Sequence, residues 1–166
     1  MTVPFRIEEK ESFRAIGFVI HTTNQKKEGR KAVPAQWETF HKEHQEAVLM
    51  PLMNQEPKGL FGISVYQIDA SDSRKFAHWI AVSSDAPETE ELKEIIIPAT
   101  TWAIFPCTMD TIGKTEVQAI TKWIPKAGYQ ALNSGYLTGR MKAGAPDIEH
   151  YGEDGTVEVW IAVRKK

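Results

Sequence analysis

The sequence predicts an α+β fold: two copies of a strand-strand-helix-strand-strand unit about a pseudo-two-fold axis, forming an antiparallel sheet with two long helices and a central cleft. Three observations predict it. Trp37 and Trp123 stand 86 residues apart, each within a run of helical apolar spacing. Ile63-x-x-Tyr66 and Ile148-x-x-Tyr151 stand 85 apart, each in a strand-like run. Trp79-Ile80-Ala81-Val82 recurs 81 residues on as Trp160-Ile161-Ala162-Val163. The matches keep chain order on corresponding elements, and the offset shortens because the first hairpin turn is four residues longer than the second.

Taken in order, Phe5-Arg6-Ile7-Glu8 alternates apolar and polar residues as a half-buried strand does. Phe13 to Ile20 is a more apolar second strand, and a Gly- and Lys-rich loop follows through Lys31. Pro34 suits the first turn of a helix, where its missing N–H costs nothing, and Trp37, Phe40, His44 and Val48 then form one stripe at spacings of three and four. Pro51 and Pro57 end that helix. Leu60 to Ile68 and Phe76 to Val82 are strands joined by a turn at Asp69-Ala70-Ser71-Asp72. The first half-repeat spans 1–83, and the acidic stretch 84–92, with Pro87, links it to the second, 93–166. There, Ile95 to Ile97 and Thr101 to Cys107 are strands, and Gly113 to Lys126 is a helix with Val117, Ile120, Trp123 and Ile124 on one face. Asn133-Ser134-Gly135 and Lys142-Ala143-Gly144-Ala145-Pro146 are turns. Ile148 to Tyr151 and Thr156 to Val163 close the chain as a hairpin around Glu153-Asp154-Gly155.

Composition excludes several classes. At 166 residues with 42 % hydrophobic and 25 % charged content, the chain is ordinary globular material. Net charge is −2, and the basic clusters at Lys26, Lys27, Arg30, Lys31 and at Arg164-Lys165-Lys166 make no stripe fit for a phosphate backbone, so direct nucleic-acid binding is not expected. Met1 to Glu8 has no signal-peptide pattern and no run of eighteen apolar residues exists, so a cytoplasmic protein with no membrane partner is expected. Cys107 is the single cysteine, ends an apolar strand, and reads as a small core residue rather than a thiolate.

A concave site forms most easily between two such halves. Core residues should be common to both copies, and chemistry should lie where they differ. On the last strand Glu158, Trp160 and Ala162 share a face, and Ala77 takes the place of Glu158 in the first half. On the strand before it Glu149 and Tyr151 share a face, and Glu149 corresponds to Ser64. The second half thus adds two carboxylates to aromatic surface. A carboxylate among aromatics needs a cation, a proton or water, and a cationic ligand drawn also to the ring faces would meet that need. A solvated sheet face for either carboxylate is the competing reading.

The runs Trp123-Ile124-Pro125-Lys126-Ala127-Gly128-Tyr129, Pro146-Asp147-Ile148-Glu149-His150-Tyr151 and Val157 to Val163 resemble the C-terminal signature of the GyrI-like small-molecule-binding family. That family includes the effector domains of AraC- and MerR-type multidrug regulators. The resemblance implies a duplicated α+β fold with a central cleft, a glutamate on the final strands ringed by aromatics, and cationic lipophilic ligands. Glu158 is the position matched to that glutamate. Ala162 departs from the proline usual in the family's Trp-Ile-Pro ending.

The leading expectation is therefore a stand-alone binding protein for a small organic, cationic or aromatic, compound, acting in drug sensing or sequestration. Glu158 is its counter-ion, Glu149 a second carboxylate, and Tyr66, Trp79, Trp102, Trp123, Tyr151 and Trp160 its candidate walls. For any one aromatic, core and pocket roles stay equally open. No cofactor is expected, and a partner regulator is the expected route to transcription. The alternative is a hydrolase of strained electrophiles, with Glu158 activating water and Tyr151 as acid or positioning group. A tetrapyrrole or metal protein using His41 and His44 is a weaker third reading, since no further ligand has motif spacing; His21, His78 and His150 read as ordinary strand residues.

Overall fold

The structure is a computed structural model that describes residues 5–66, 68, 71–72, 74–132 and 145–166. The turns expected at Asn133-Ser134-Gly135 and Lys142-Ala143-Gly144, and the Asp69-Ala70 part of the earlier turn, lie outside the described residues. The first half runs β1 (Arg6–Lys10), β2 (Phe13–Thr23), α1 (Gly29–Lys42), a short α2 (Glu46–Leu49), β3 (Leu60–Tyr66) and β4 (Lys75–Ser83). The second runs β5 (Lys93–Ile97), β6 (Thr100–Cys107), α3 (Ile112–Gln118), a π turn (Ala119–Trp123), α4 (Ile124–Lys126), β7 (Tyr129–Ala131), β8 (Asp147–Tyr151) and β9 (Val157–Lys165).

One antiparallel sheet carries the strands in the order β1-β6-β9-β8-β3-β4-β2-β5, with β7 on β9. Exchange each strand of one half for its counterpart, and this order reads the same from either end. The centre of the palindrome is the β3–β8 ladder, where Ile63 pairs with Ile148, its own counterpart in the repeat. Trp79 stands opposite Ile63, and Trp160 opposite Ile148, so both hairpins share one register. The halves also trade their first strands: β1 pairs with β6, and β5 with β2.

Period-two alternation gives the sheet two apolar faces. On one, α1 buries Ile16, Ile80 and Val82 against Phe40 and Leu49. Farther along the same face, the second helix buries Phe105, Val159 and Ile161 against Ala119 and Ile124. The other face packs Phe61, Ile63, Trp102, Ile104, Ile148 and Trp160 together. The two helices flank the axis, and the β3–β8 ladder between them is left as the floor of a cleft.

Three local features differ from the sequence expectation. Helix α1 begins at Gly29, five residues before Pro34. Its first turn passes over Phe76, whose ring would lie 2.8 Å from any Cβ at residue 29, so a side chain there would require the ring to shift. The helix then stops at Lys42, because His44 takes φ 54° and leaves the helical stripe before Val48. In the second helix, Pro125 cannot donate to the carbonyl of Thr121, and the chain widens into a π turn just before it. The extra residue of a π turn matches the tryptophan offset of 86 against the 85 that relates β3 to β8. The third is β7, three residues long and too short to show a period.

Candidate binding cleft

The cleft between the helices holds about 490 Å³. Ser64 and Tyr66 of β3, Asp147 and Glu149 of β8, and Phe76 and His78 of β4 make its floor. Arg30, Val33 and Pro34 of α1 form one wall, Ile112, Gly113 and Glu116 of α3 the other, and Asn24 and Lys27 sit at the mouth. The floor is where the repeat breaks. Gly62 faces Glu149 and Ser64 faces Asp147 across the ladder, so two small residues of one half meet two acids of the other. With no side chain at residue 62, Glu149, Trp37 and His78 close over the strand: a Cβ there would stand 3.2, 3.3 and 3.4 Å from their atoms.

Glu116 of α3 faces Glu149 in the cleft, near enough for each to shift the other's titration. Two neighbouring carboxyl groups resist being charged together. Burial pushes Glu116 well above the usual carboxylate range, and the charges of Glu149 and Asp147 push it further. Burial also raises Glu149, while hydrogen bonds from Tyr151 and Glu116 partly offset that rise. The Tyr151 hydroxyl donates to Glu149 Oε2 at 2.8 Å, and its ring meets Trp37 edge-on at 5.2 Å. Tyr66 is held as a neutral phenol by burial and by the charge of Asp147. The cleft thus gathers three carboxyl groups around aromatic rings, with Arg30 and Lys27 also in its lining.

His78, 2 % exposed, is set by Gln36 of α1. The Gln36 amide nitrogen donates to the carbonyls of Phe18 and His78, both at 3.2 Å. Its oxygen therefore accepts from His78 Nδ1–H at 2.6 Å. Burial lowers the imidazole to about 4, so it is neutral at physiological pH.

The sequence-predicted residues fall into three places. Glu149, Tyr151 and Tyr66 come together in or beside the cleft. Trp123 stacks on Phe105 at 5.7 Å under the second helix, unlike its repeat partner Trp37. Glu158, Trp160, Trp102 and Trp79 lie on the opposite face of the sheet, so Glu158 and Tyr151 do not meet. A carboxylate beside an indole does hold a cation there, but the chain supplies it. Arg6 Nη1 lies 2.7 Å from Glu158 Oε2, and Lys10 Nζ sits 4.9 Å from the Trp160 ring centroid. Burial raises Glu158, but hydrogen bonds from Arg6 and Trp160 outweigh it and hold the group below its ordinary range. Trp102 is fully buried, and its Nε1–H has no partner among the described residues. His41 bonds Glu46 at 3.0 Å on the exposed outer surface. Burial pushes the Cys107 thiol up to about 11, which keeps it protonated.

Sequence reasoning missed Glu116, Asp147 and His78. Asp147 was findable, because it lies two residues before Glu149 on the same strand face and replaces Gly62 of the first copy. Glu116 carries no such signal, since its role depends on how α3 lies over the sheet.

The comparisons agree with this architecture. SAV2435, solved bound to tetraphenylphosphonium, superposes with a TM-score of 0.75 at 16 % identity, covering 97 % of this chain and 94 % of that one. A bacterial transcription regulation protein of Staphylococcus aureus MU50 gives 0.73 at 16 % identity, over 98 % and 99 % of the two chains. The integron cassette protein VCH_CASS2 of Vibrio cholerae gives 0.63 at 19 % identity, over 96 % and 95 %. No curated protein sequence matches. These neighbours share the GyrI-like effector-binding fold. The Cass2 family, described as integron-associated effector-binding proteins, matches residues 6–163, and this chain belongs to it.

Proposed function

We propose that the protein captures lipophilic organic cations in the cleft between its two halves, with Glu149 as the counter-ion and Glu116 and Asp147 behind it. The observation that carries this reading is the acidic cleft: three carboxyl groups converge beside Tyr66, Phe76 and Tyr151, and burial with the neighbouring charges favours a proton on Glu116. A bound cation replaces that proton as the neutralising charge, and the rings add roughly 0.5–2 kcal/mol each. The tetraphenylphosphonium bound by the structurally similar SAV2435 is a ligand of this class. Capture for sensing or sequestration follows from such a cleft, and a regulator reading the filled state would link it to transcription.

Tryptophan-fluorescence titration tests the reading, because Trp37 stands against the cleft. Tetraphenylphosphonium should quench saturably and neutral triphenylmethanol should not, and the response to the cation should weaken in Glu149→Gln. Equal binding of cation and neutral compound, unaltered in the variant, would overturn it.

A further inference from the structure

Resting on that reading, we infer that the cleft selects cations that carry an N–H donor, such as protonated amines and amidinium groups, over quaternary onium ions of the same shape. His78 is the residue that makes the distinction. Its Nδ1–H is committed to Gln36 Oε1 at 2.6 Å, because both Gln36 amide hydrogens are taken by the carbonyls of Phe18 and His78. Nε2 is then left with a lone pair. The side chain is only 2 % exposed and lines the cleft, so this lone pair is available to a ligand there.

Nε2 and Glu149 Oε2 converge over Gly62, at 3.4 and 3.2 Å from the position a Cβ would take. An N–H cation in the cleft, which both residues line, would donate to a neutral acceptor on one side and to a carboxylate on the other. A quaternary ion gains the charge attraction but offers Nε2 nothing, and it covers that acceptor without replacing its water. The Gln36 brace makes the preference directional. Were the imidazole held in its other tautomer, it would present a donor and repel the same ligand.

The test compares dibenzylmethylammonium, with one N–H, and dibenzyldimethylammonium, with none, by calorimetric titration at pH 7. The wild type should bind the first about tenfold more tightly. In His78→Phe the gap between the two ions should close. Because that variant strands Gln36 Oε1, ¹⁵N-histidine spectra of the wild type give a second readout. The free ring should show the Nδ1–H tautomer, and its Nε2 resonance should move when the tertiary ammonium is added but not with the quaternary ion. Equal affinities in the wild type, a gap that survives in His78→Phe, or a protonated Nε2 in the free protein would each overturn this inference while leaving the cation reading intact. Failure of both ions to bind would overturn the two together.

Discussion

Gly62 and Glu149 lie directly opposite one another at the centre of the sheet, and the Glu149 carboxylate folds back over the glycine. The acid can lie flat on the floor only because its partner has no side chain. A Cβ at residue 62 would stand 3.2 Å from Glu149 Oε2, close enough to displace it by a few tenths of an ångström without breaking the strand.

Gly62→Ala should therefore separate folding from binding. A strand alanine recovers part of the backbone entropy that glycine loses, about 0.5–1 kcal/mol, and the contact consumes much of it. Thermal melts of Gly62→Ala should lie close to wild type, while tetraphenylphosphonium affinity falls several-fold. A large loss of stability with affinity intact would show that the glycine serves the ladder and not the ligand.

Glu149 and Glu116 should respond differently to neutralisation. Glu149→Gln removes the carboxylate on the floor and should cost about tenfold or more in cation affinity, as expected for losing a charged partner. Glu116→Gln keeps a donor toward Glu149 and removes the competing proton, so affinity should change little and its pH dependence should flatten. Calorimetry in buffers of different ionisation enthalpy would detect the proton that the wild type releases on binding, and Glu116→Gln should release less. Equal proton release from both proteins would refute this account of the Glu116 proton.

Two groups pull stability in opposite directions with pH. His78 is lowered from 6.5 to about 4. It contributes fully above 6.5, and about 3 kcal/mol is lost as pH falls from 6.5 to 4, where the unfolded chain takes the proton first. Glu116 is raised above 4.5, so stability falls as pH rises from 4.5 through its folded value. Glu116→Gln, which carries no charge to bury at any pH, should therefore exceed wild type in urea midpoint at pH 8 and converge with it near pH 4.5. A gap that widened on acidification would have the wrong sign for a raised carboxyl.

Glu158→Gln should leave cation binding in the cleft unchanged, since Glu158 lies on the other face and is paired with Arg6. The Arg6 side chain is 48 % exposed, so solvent screening limits the loss of stability to about 1 kcal/mol or less. That loss should be present at neutral pH and vanish as pH falls through the lowered value of Glu158. Weakened tetraphenylphosphonium binding in Glu158→Gln would place the ligand on the wrong face of the sheet in our reading.

The duplication and the order of elements along the chain were legible because both halves repeat the same core. Ile63 and Ile148, or Trp79 and Trp160, occupy matching places and keep matching residues. Alternation put Glu149 with Tyr151 and Glu158 with Trp160, but it did not show that the two pairs lie on opposite faces, and the expectation gathered all four in one cleft. Nor did alternation show which face the helices cover. Both faces here are apolar, so the residues that flank Glu149 and Glu158 look alike in the sequence. The His78 tautomer was still less accessible, because it depends on Gln36, 42 residues away and on another element.

The exchange of first strands has a consequence for ancestry. Neither half can complete its sheet without a strand from the other, so a lone half would have to dimerise to fold. A dimer of two identical second halves would set acid against acid at the axis, four carboxylates where this chain has Asp147 and Glu149 facing Ser64 and Gly62. Joining the copies in one polypeptide released them from identity. One half carries the charge and the other the space beside it, so a near-symmetric scaffold encloses an asymmetric cleft.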